Sequence, residues 1–196
     1  MEPWTQIRKD MDVVLNPEST EVYVHHILTN KNAWPIECGI WGETACAAGG
    51  VVIAPQAKTD TGVVCNRVMS LWPFSDMTDK RIYWGKDYIF MKQDVNAKIP
   101  FKYGINQDEG WMVYINGGTM YLKEYTPVPG GKYPDYGCSF ETYTSSLFAE
   151  VESLSPLQLL QPDEAMTHDE KWRLFENVAV PQNEDEVANM KAIFRG

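Results

Sequence analysis

The stretch at residues 138–172 reads CSFETYTSSLFAEVESLSPLQLLQPDEAMTHDEKW, and it decides the fold class. Short runs of β-forming residues alternate with turns containing Ser, Pro and Asp, which is typical of consecutive antiparallel strands. Successive strand side chains point to opposite faces, so Glu150 and Glu152 share one face. His168 and Trp172 likewise share one face of the last run. Because carboxylates within strands are costly to bury, this pattern predicts either a functional site or a solvated face.

Length and charge exclude several classes of function. The chain has 196 residues and 44% hydrophobic content, so we predict a single domain over 1–196 with its own core. The net charge of −10 disfavours nucleic acid as a partner, because phosphate binding needs clustered Lys and Arg. No apolar run approaches the ~20 residues of a membrane span, so no membrane partner is expected. The N-terminus lacks the apolar core of a signal peptide. We therefore expect a cytoplasmic protein, or a periplasmic or secreted one if a leader has been removed.

The cysteines give no sign of a zinc site, whereas the aromatic residues are informative. The four cysteines are widely spaced and contain no Cys-x-x-Cys pair. Buried reduced thiols are the preferred interpretation, and no metal or cofactor is predicted. The chain has seven Trp and ten Tyr. Core packing explains most of them, but Trp is also common on surfaces that stack against sugars.

Almost every segment has a strand pattern. The Asn-Gly-Gly sequence at 116–118 predicts a hairpin turn between two of these runs. One helix is predicted at 183–196, where Asn183 can cap its start. Many short strands with Gly, Pro and Asn turns predict an all-β fold, an antiparallel β-sandwich with a short C-terminal helix. The predicted strands lie at 11–15, 21–29, 35–47, 51–55, 67–72, 81–84, 88–93, 101–106, 110–115, 119–125, 138–143, 147–154 and 168–178.

Several blocks occur in an order that resembles a known group of proteins. In chain order they read VYVHHILTNKNAWPIE, GGVVIAPQ, NRVMSLWPFSDMTDKRIYWG, GWMVYINGGTMYLKEY, YPDYGCSFETYTSSLFAEVESLSPL and HDEKWRLF. Between about residues 10 and 178 the sequence resembles an uncharacterised branch of the galactose mutarotase-like (aldose 1-epimerase-like) superfamily. That resemblance implies a large antiparallel supersandwich that binds carbohydrate, a monosaccharide or an oligosaccharide, in a groove across one sheet.

The chain looks short for that domain. The resemblance implies that the opening strands of the superfamily are missing, so the chain would be a fragment or a pared-down variant completed by another subunit. A strand edge left without a partner invites pairing with a second copy. Homodimerisation is therefore a hypothesis.

The resemblance also implies a catalytic pair. Mutarotation needs a base that takes the anomeric hydroxyl proton and an acid that protonates the ring oxygen, and the superfamily uses a Glu and a His. The position of the Glu matches Glu152, or less well Glu150 on the same face. Trp41 occupies the position where the His is expected. His168 could serve as the acid instead, from a strand that also carries Glu170.

Further residues are candidates for contacting the sugar. Arg and Asp can bind pairs of hydroxyls, while Trp offers a flat face to the C–H side of the ring. His25 and His26 lie on opposite faces of one strand, so at most one reaches the groove. The run at 66–85 could instead be a loop held by internal Arg–Asp pairs, and Asp135 is interpreted as a turn residue. The predicted substrate-binding residues are Arg67, Trp72, Asp76, Arg81, Trp84, Trp41, Lys123, Glu141 and His25.

The preferred function is carbohydrate binding in the groove of a mutarotase-like sandwich, with epimerase or mutarotase activity left open. The alternative is a non-catalytic structural or assembly module whose groove is vestigial. Trp41 at the expected His position favours binding or assembly, whereas the glutamates favour a working sugar site. No metal is predicted, although Glu150, Glu152 and His168 could gather a divalent ion.

Overall fold

Antiparallel strands make up most of the chain, as the sequence patterns predict. The computed structural model describes residues 1–195, and Gly196, the last residue of the predicted domain and helix, lies outside the described residues. No helix within residues 1–195 is long and apolar enough to cross a membrane. The elements of the described part are β1 (Ile7–Leu15), β2 (Val22–Asn30), β3 (Ile36–Cys38), β4 (Trp41–Ala47), β5 (Val51–Pro55), β6 (Met69–Leu71), β7 (Ile82–Trp84), β8 (Tyr88–Lys92), β9 (Phe101–Ile105), β10 (Trp111–Asn116), β11 (Thr119–Tyr125), β12 (Phe140–Thr144), β13 (Phe148–Leu154), β14 (Gln158–Leu160), β15 (Ala165–Phe175) and α1 (Glu184–Arg195).

The strands pair into a large sheet and a small sheet. The large sheet has eight strands in the order β1-β2-β15-β11-β10-β5-β8-β7. The small sheet has five strands in the order β4-β13-β12-β9-β6, and β14 pairs with β3 in a separate ribbon. Every pairing is antiparallel. The predicted fold class, an all-β antiparallel sandwich with a short C-terminal helix, is confirmed.

The main core lies between the inner faces of the two sheets. Phe101, Tyr103 and Phe140 project into it from the small sheet and are fully buried. The ring of Tyr103 meets those of Phe101 and Phe140 at centroid distances of 6.4 and 6.0 Å. Aromatic side chains bury more apolar area than any others, so this layer is a principal source of stability.

A second core lies on the outer face of the large sheet, where α1 packs. Val187, Met190 and Phe194 recur at helical spacing and are buried against that face. The ring of Phe194 lies 5.3 Å from that of Trp111. Asn183 caps the helix as predicted, since its Oδ1 accepts a 3.0 Å hydrogen bond from a backbone N–H of the first turn.

The turn between β10 and β11 follows the hairpin prediction. Asn116 pairs with Thr119 across a two-residue loop. Gly117 and Gly118 both have left-handed backbone angles, with φ of 57° and 83°. A two-residue turn with positive φ at both central positions matches the twist of the flanking strands, and glycine adopts it without strain. The Asn-Gly-Gly sequence therefore fixes the register of this pair.

The run predicted as one strand at 35–47 forms two. β3 ends at Cys38 and β4 begins at Trp41, and between them the N–H of Ile40 donates to Ser155 Oγ at 2.8 Å. The break lets the chain pass from the β3–β14 ribbon to the small sheet. The three-residue strand β14 is not predicted by the sequence patterns. As a result of the break, Trp41 is the first residue of β4.

β1 is an edge strand of the large sheet. It pairs with β2 over nine residues and has no second neighbour among the described residues. Met11, Val13 and Leu15 share one face of β1 and are 59%, 53% and 70% exposed. An open edge with apolar side chains favours pairing with another strand. The homodimer stays a prediction.

Candidate functional site

Four glutamates meet on the outer face of the small sheet. Glu141 of β12 pairs with Glu152 of β13, which in turn pairs with Glu43 of β4. Glu150 lies two residues before Glu152 and points to the same face. Like charges placed directly opposite one another destabilise a sheet, so this face needs a compensating cation.

Lys102 of β9 supplies that cation. Its Nζ lies 2.8 Å from Glu141 Oε2 and 2.8 Å from Glu152 Oε2. All three side chains are buried. Burial disfavours the ammonium form, but the attraction of Glu152 and Glu141 is stronger, so the pKa of Lys102 lies above its ordinary value. Lys102 is therefore a permanent positive charge that holds two carboxyl groups together.

Two tryptophans enclose the ammonium group of Lys102. Its Nζ lies 4.6 Å from the ring centroid of Trp41 and 4.6 Å from that of Trp72. The indole N–H of Trp41 donates to Glu152 Oε2 at 2.8 Å, which fixes the orientation of the ring. Trp41 is nevertheless 53% exposed. The site thus presents an anchored, flat apolar surface beside charged groups.

A cavity of about 350 Å³ opens beside these groups. Its polar wall contains Lys102, Glu141 and Asp135, and Trp41 and Trp72 contribute aromatic surface. We call it the lysine–carboxylate cavity. The rest of the lining is apolar and consists of Gly39, Ile40, Pro134, Leu154 and Leu157.

Glu141 is the buried carboxyl group of the cavity wall. Burial raises its pKa to about 8, with Lys102 opposing the shift and Asp135 adding to it. Glu141 therefore holds a proton more readily than an ordinary glutamate. Its Oε1 has no hydrogen-bond partner among the described residues. Gly104, its neighbour on β9, leaves room for it, because a Cβ there would lie 3.1 Å from Glu141 Cγ and 2.7 Å from Cys138 Sγ.

Glu150 and Glu152, the predicted bases, do not line this cavity. Glu152 is fully buried, and its Oε2 binds both Trp41 and Lys102. Glu150 is only partly buried; burial, with the charges of Glu152 and Glu43, raises its pKa to about 7. Glu152 is thus placed to hold Trp41 and Lys102 in position rather than to touch a ligand.

The loop that brings Asp135 to the cavity has unusual backbone angles. Asp135, Tyr136 and Gly137 all have positive φ, with values of 48°, 66° and 114°. Two successive non-glycine residues in this region cost free energy, and such strain concentrates at functional sites. Ser70 holds the loop, since its Oγ donates to the carbonyl of Asp135 at 2.6 Å. Tyr136 beside it is 94% exposed.

Lys123, a predicted substrate-binding residue, lies between the sheets instead. Its Nζ lies 2.8 Å from Glu170 Oε1, and both side chains have no exposed surface. It also donates to the carbonyls of Gly42 at 2.6 Å and Val151 at 3.1 Å, so it joins β11 to two strands of the small sheet. Gly42 permits this close approach, because a Cβ there would lie 2.2 Å from Glu170 Oε1. Lys123 is a structural crosslink.

His168, the predicted acid, faces the same interior. Its Nε2 lies 2.7 Å from Ser153 Oγ. Burial lowers its pKa to about 4, so the imidazole is neutral at physiological pH. Ser153 follows Glu152 directly and points to the opposite face of β13. His168 and Glu152 therefore lie on opposite sides of the small sheet, which corrects the hypothesis that they act on one sugar as acid and base.

The same separation bears on metal binding. Glu150 and Glu152 project from the outer face of β13, whereas His168 contacts Ser153 on its inner face. The three side chains therefore do not converge on one ion. Among residues 1–195, no group of three or more His, Cys, Asp or Glu side chains is arranged to hold a metal ion.

Trp72 is the member of the 66–85 run that lines the cavity, whereas the other polar candidates there stabilise the loop. Arg67 Nε donates to a backbone carbonyl at 3.0 Å. Asp76 accepts a backbone N–H two residues ahead at 2.8 Å. Arg81 Nη2 binds Asp79 Oδ2 at 2.6 Å, as the alternative of an internally paired loop predicts.

Trp84 and His25 also lie outside the cavity. Trp84 packs against the core, with its ring 5.4 Å from that of Tyr103. His25 contacts Asp169 on the outer face of the large sheet, in a wide groove of about 780 Å³ beside α1. Charged groups in that groove bind one another, as Arg173 binds Glu124 at 2.8 Å. The lysine–carboxylate cavity, with its unpartnered acceptor, is the better candidate site.

Sequence reasoning missed Lys102 and gave Asp135 only a turn role. Lys102 lies between Phe101 and Tyr103 in a run predicted as a strand. Alternation alone places it on the face opposite two aromatic core residues, and a lone cation on that face was the available signal. Asp135 carried no comparable signal, because YPDYG is typical of any turn.

Solved structures share this fold. A candidate aldose 1-epimerase from Klebsiella pneumoniae superposes with a TM-score of 0.55 at 12% identity, covering 97% of this chain and 51% of that chain. A candidate aldose 1-epimerase from Escherichia coli K12 gives 0.51 at 13% identity, covering 87% and 60%. The chain has the aldose 1-epimerase fold. A TPR-domain containing protein from Parabacteroides distasonis also matches, at 0.54 and 11% identity over 91% and 33%.

The likeness extends to the fold alone. No protein-family model matches the sequence, nor does any curated protein. The predicted resemblance to the galactose mutarotase-like (aldose 1-epimerase-like) superfamily is confirmed at the level of fold. The chain spans only 51% and 60% of the lengths of the two epimerase structures.

Replacing Lys123 with Met is expected to destabilise the chain by about 3–5 kcal/mol, since Glu170 would become an uncompensated buried charge. The double variant Lys123→Met/Glu170→Gln should recover much of that loss. Urea unfolding followed by circular dichroism measures both, with Lys132→Met, which removes an exposed lysine, as the control. A Lys123→Met chain as stable as the parent would contradict the crosslink.

The stabilising contribution of His168 is expected to be lost as the pH drops from about 6.5 towards 4. The unfolded chain takes up a proton at the ordinary histidine pKa of 6.5, whereas folded His168 does so only near 4. At this residue the unfolded state therefore binds more protons in this window, so the His168 contribution falls with acid, while the raised pKa values of Glu141 and Glu150 act in the opposite direction. His168→Gln should remove the His168 contribution, so its unfolding free energy should fall less, or rise more, on acidification than that of the parent chain. Parallel curves for the variant and the parent would refute the assignment to His168.

Proposed function

We propose that the chain binds a carbohydrate in the lysine–carboxylate cavity. The observation that carries this proposal is the meeting of two indoles, one ammonium and two carboxyl groups at a single opening, from Trp41, Trp72, Lys102, Glu141 and Asp135. A sugar has apolar C–H faces and polar hydroxyl edges, so a site for it needs both kinds of surface. Both are present here.

The aromatic part of the site suits stacking. Trp41 is half-exposed, yet its N–H is tied to the buried Glu152. A ring already held in place loses little conformational entropy when a sugar packs against it. The ring of Trp72 lies 4.6 Å from the same ammonium group and also lines the cavity, so two indole surfaces border the opening.

The polar part of the site suits hydroxyl binding. An ammonium group has three donors, and Glu141 and Glu152 engage two of those of Lys102. The third is free for a ligand oxygen. The carboxyl groups of Glu141 and Asp135 line the same wall and can accept hydrogen bonds from hydroxyls. Because Lys102 and Glu141 are fixed by each other, the hydrogen-bonding groups are organised before the ligand arrives.

The fold supports the class of ligand, and one feature supports a competing function. The neighbours from K. pneumoniae and E. coli are described as candidate aldose 1-epimerases, so aldoses are the first ligands to test. The competing function is a structural or assembly module with a vestigial groove. The open edge of β1 and its exposed apolar residues favour that function, since they suit pairing with another chain.

Trp41→Ala and Trp72→Ala are each expected to weaken sugar binding by about tenfold, since each removes a stacking surface. Saturation-transfer-difference NMR and calorimetry with glucose, galactose and their short oligomers measure this, with Trp4→Ala, at a 95% exposed position outside the cavity, as the control. If no sugar perturbs the parent protein at millimolar concentration, the structural or assembly function stands.

Mutarotation is a second candidate function, and the raised pKa of Glu141, whose carboxyl group lies beside Asp135 in the cavity wall, favours it. Asp135, as a carboxylate, would take the anomeric hydroxyl proton while Glu141 gives its proton to the ring oxygen. The bond between C1 and the ring oxygen then breaks and leaves an open-chain aldehyde. Rotation about the C1–C2 bond and the reverse transfers close the other anomer and restore both carboxyl groups.

Glu141→Gln is expected to abolish protein-dependent anomeric exchange while leaving affinity within about threefold, because an amide can donate a hydrogen bond but cannot transfer the proton. Exchange between the anomers of an aldose, followed by NMR saturation transfer, measures the first effect. Glu152→Gln serves as a comparison: it should weaken binding and exchange together, since it loosens Trp41 and Lys102. An unchanged exchange rate in Glu141→Gln would remove Glu141 from the mechanism.

A further inference from the structure

We infer that the cavity favours sugars that carry an amino group and disfavours anionic sugars. This inference rests on the proposed carbohydrate function and names the class of ligand. It follows from the charges in and around the opening and from a buried acceptor that has no donor.

The positive charge of the cavity is already paired with carboxyl groups of the protein. Lys102 is the one cationic side chain in the lining. Its ammonium lies 2.8 Å from carboxyl oxygens of both Glu141 and Glu152. A ligand phosphate or carboxylate could reach only the third donor of Lys102 and would lie beside the carboxyl groups of Glu141 and Asp135, so charge repulsion should weaken its binding by at least about tenfold. The cavity is therefore poorly suited to sugar phosphates and uronates.

Negative charge surrounds the opening in excess. Asp135 lines the cavity without an ion-pair partner among the described residues. Glu43 and Glu150 lie on the same outer face of the small sheet as Glu152. The field at the opening therefore attracts a cation and repels an anion.

An unpartnered buried polar atom points the same way. Glu141 is 2% exposed, lines the cavity, and has no hydrogen-bond partner for its Oε1. A buried polar atom without a partner is costly, so a ligand that supplies one gains that free energy on binding. A ligand ammonium beside Glu141 favours the ionised carboxylate, whose Oε1 then accepts a charge-assisted hydrogen bond that is roughly twice as strong as a neutral one.

The aromatic surfaces add to this preference. The faces of Trp41 and Trp72 attract cations, as their positions around Lys102 illustrate. Trp41 is 53% exposed, so part of its ring is open to a ligand. An amino sugar can therefore place its C–H face on an indole and its ammonium towards Asp135 and Glu141.

The test compares related hexoses that carry a positive, a neutral or a negative substituent. Glucosamine, glucose, N-acetylglucosamine and glucuronate are titrated into the parent protein at pH 6.5 and low salt, and dissociation constants are measured by calorimetry. Glucosamine is expected to bind about fivefold tighter than glucose, and glucuronate at least about tenfold more weakly. N-acetylglucosamine, which keeps the nitrogen at C2 but carries it as an uncharged acetamide, should lose the advantage. Added salt should shrink the advantage, since exposed charges are screened.

A variant tests whether Asp135 causes the preference for glucosamine. Asp135→Asn is expected to cut the ratio of glucose to glucosamine dissociation constants towards one, because it removes the charge that favours the ammonium sugar; the ratio cancels any loss of affinity that the two sugars share. Asparagine tolerates the left-handed backbone of this position, so the loop should keep its shape. Asp76→Asn, which removes an acid outside the cavity lining, is the matched control and should leave the ratio unchanged.

The outcomes separate this inference from the proposed function. Equal or weaker binding of glucosamine than of glucose would overturn the inference and leave carbohydrate binding intact. Tighter binding of glucuronate than of glucose would overturn the inference as well. If none of the four sugars binds, nor any galactose counterpart, the proposed function fails and the inference fails with it.

Discussion

The buried ion pair between Lys123 and Glu170 is the constraint on which the rest of the structure depends. A charge with no solvent contact is tolerated only if every polar bond is made, and Lys123 achieves this through Glu170 and the carbonyls of Gly42 and Val151. Gly42 directly follows Trp41 in the chain, and Val151 directly precedes Glu152. The crosslink that joins the sheets on one side therefore also sets the positions of the site residues on the other.

Most of the fold could be predicted from the sequence because its signals are local. Period-two alternation marks the longer strands, and the Asn-Gly-Gly turn at 116–118 fixes one hairpin. Asn183 marks the start of the helix through its side-chain acceptor. The break within 35–47 and the strand Gln158–Leu160 were not predicted, because three-residue strands are too short to show a period. The two short strands β3 and β14 are positioned by pairing with each other, which is a long-range property.

The candidate site was predicted less completely, for a related reason. Alternation correctly indicates that Glu150 and Glu152 share a face, but it cannot say which side of the sandwich that face occupies. His168 belongs to the large sheet and looks inward, whereas Glu152 belongs to the small sheet and looks outward. Lys102 was missed because its role in the site depends on partners on other strands, including Glu152, which lies fifty positions further along the chain. Only the sheet order brings them together.

The double attachment of Lys102 has an evolutionary consequence. This one ammonium bridges two carboxyl groups and contacts two indoles. Losing the lysine alone would strand both acids, and losing Glu152 alone would free the Trp41 ring. A single substitution at any of these positions is therefore expected to be destabilising. Substitutions that remove the whole group together avoid leaving an unpaired charge. These five residues are therefore expected to be kept together or replaced together by apolar side chains.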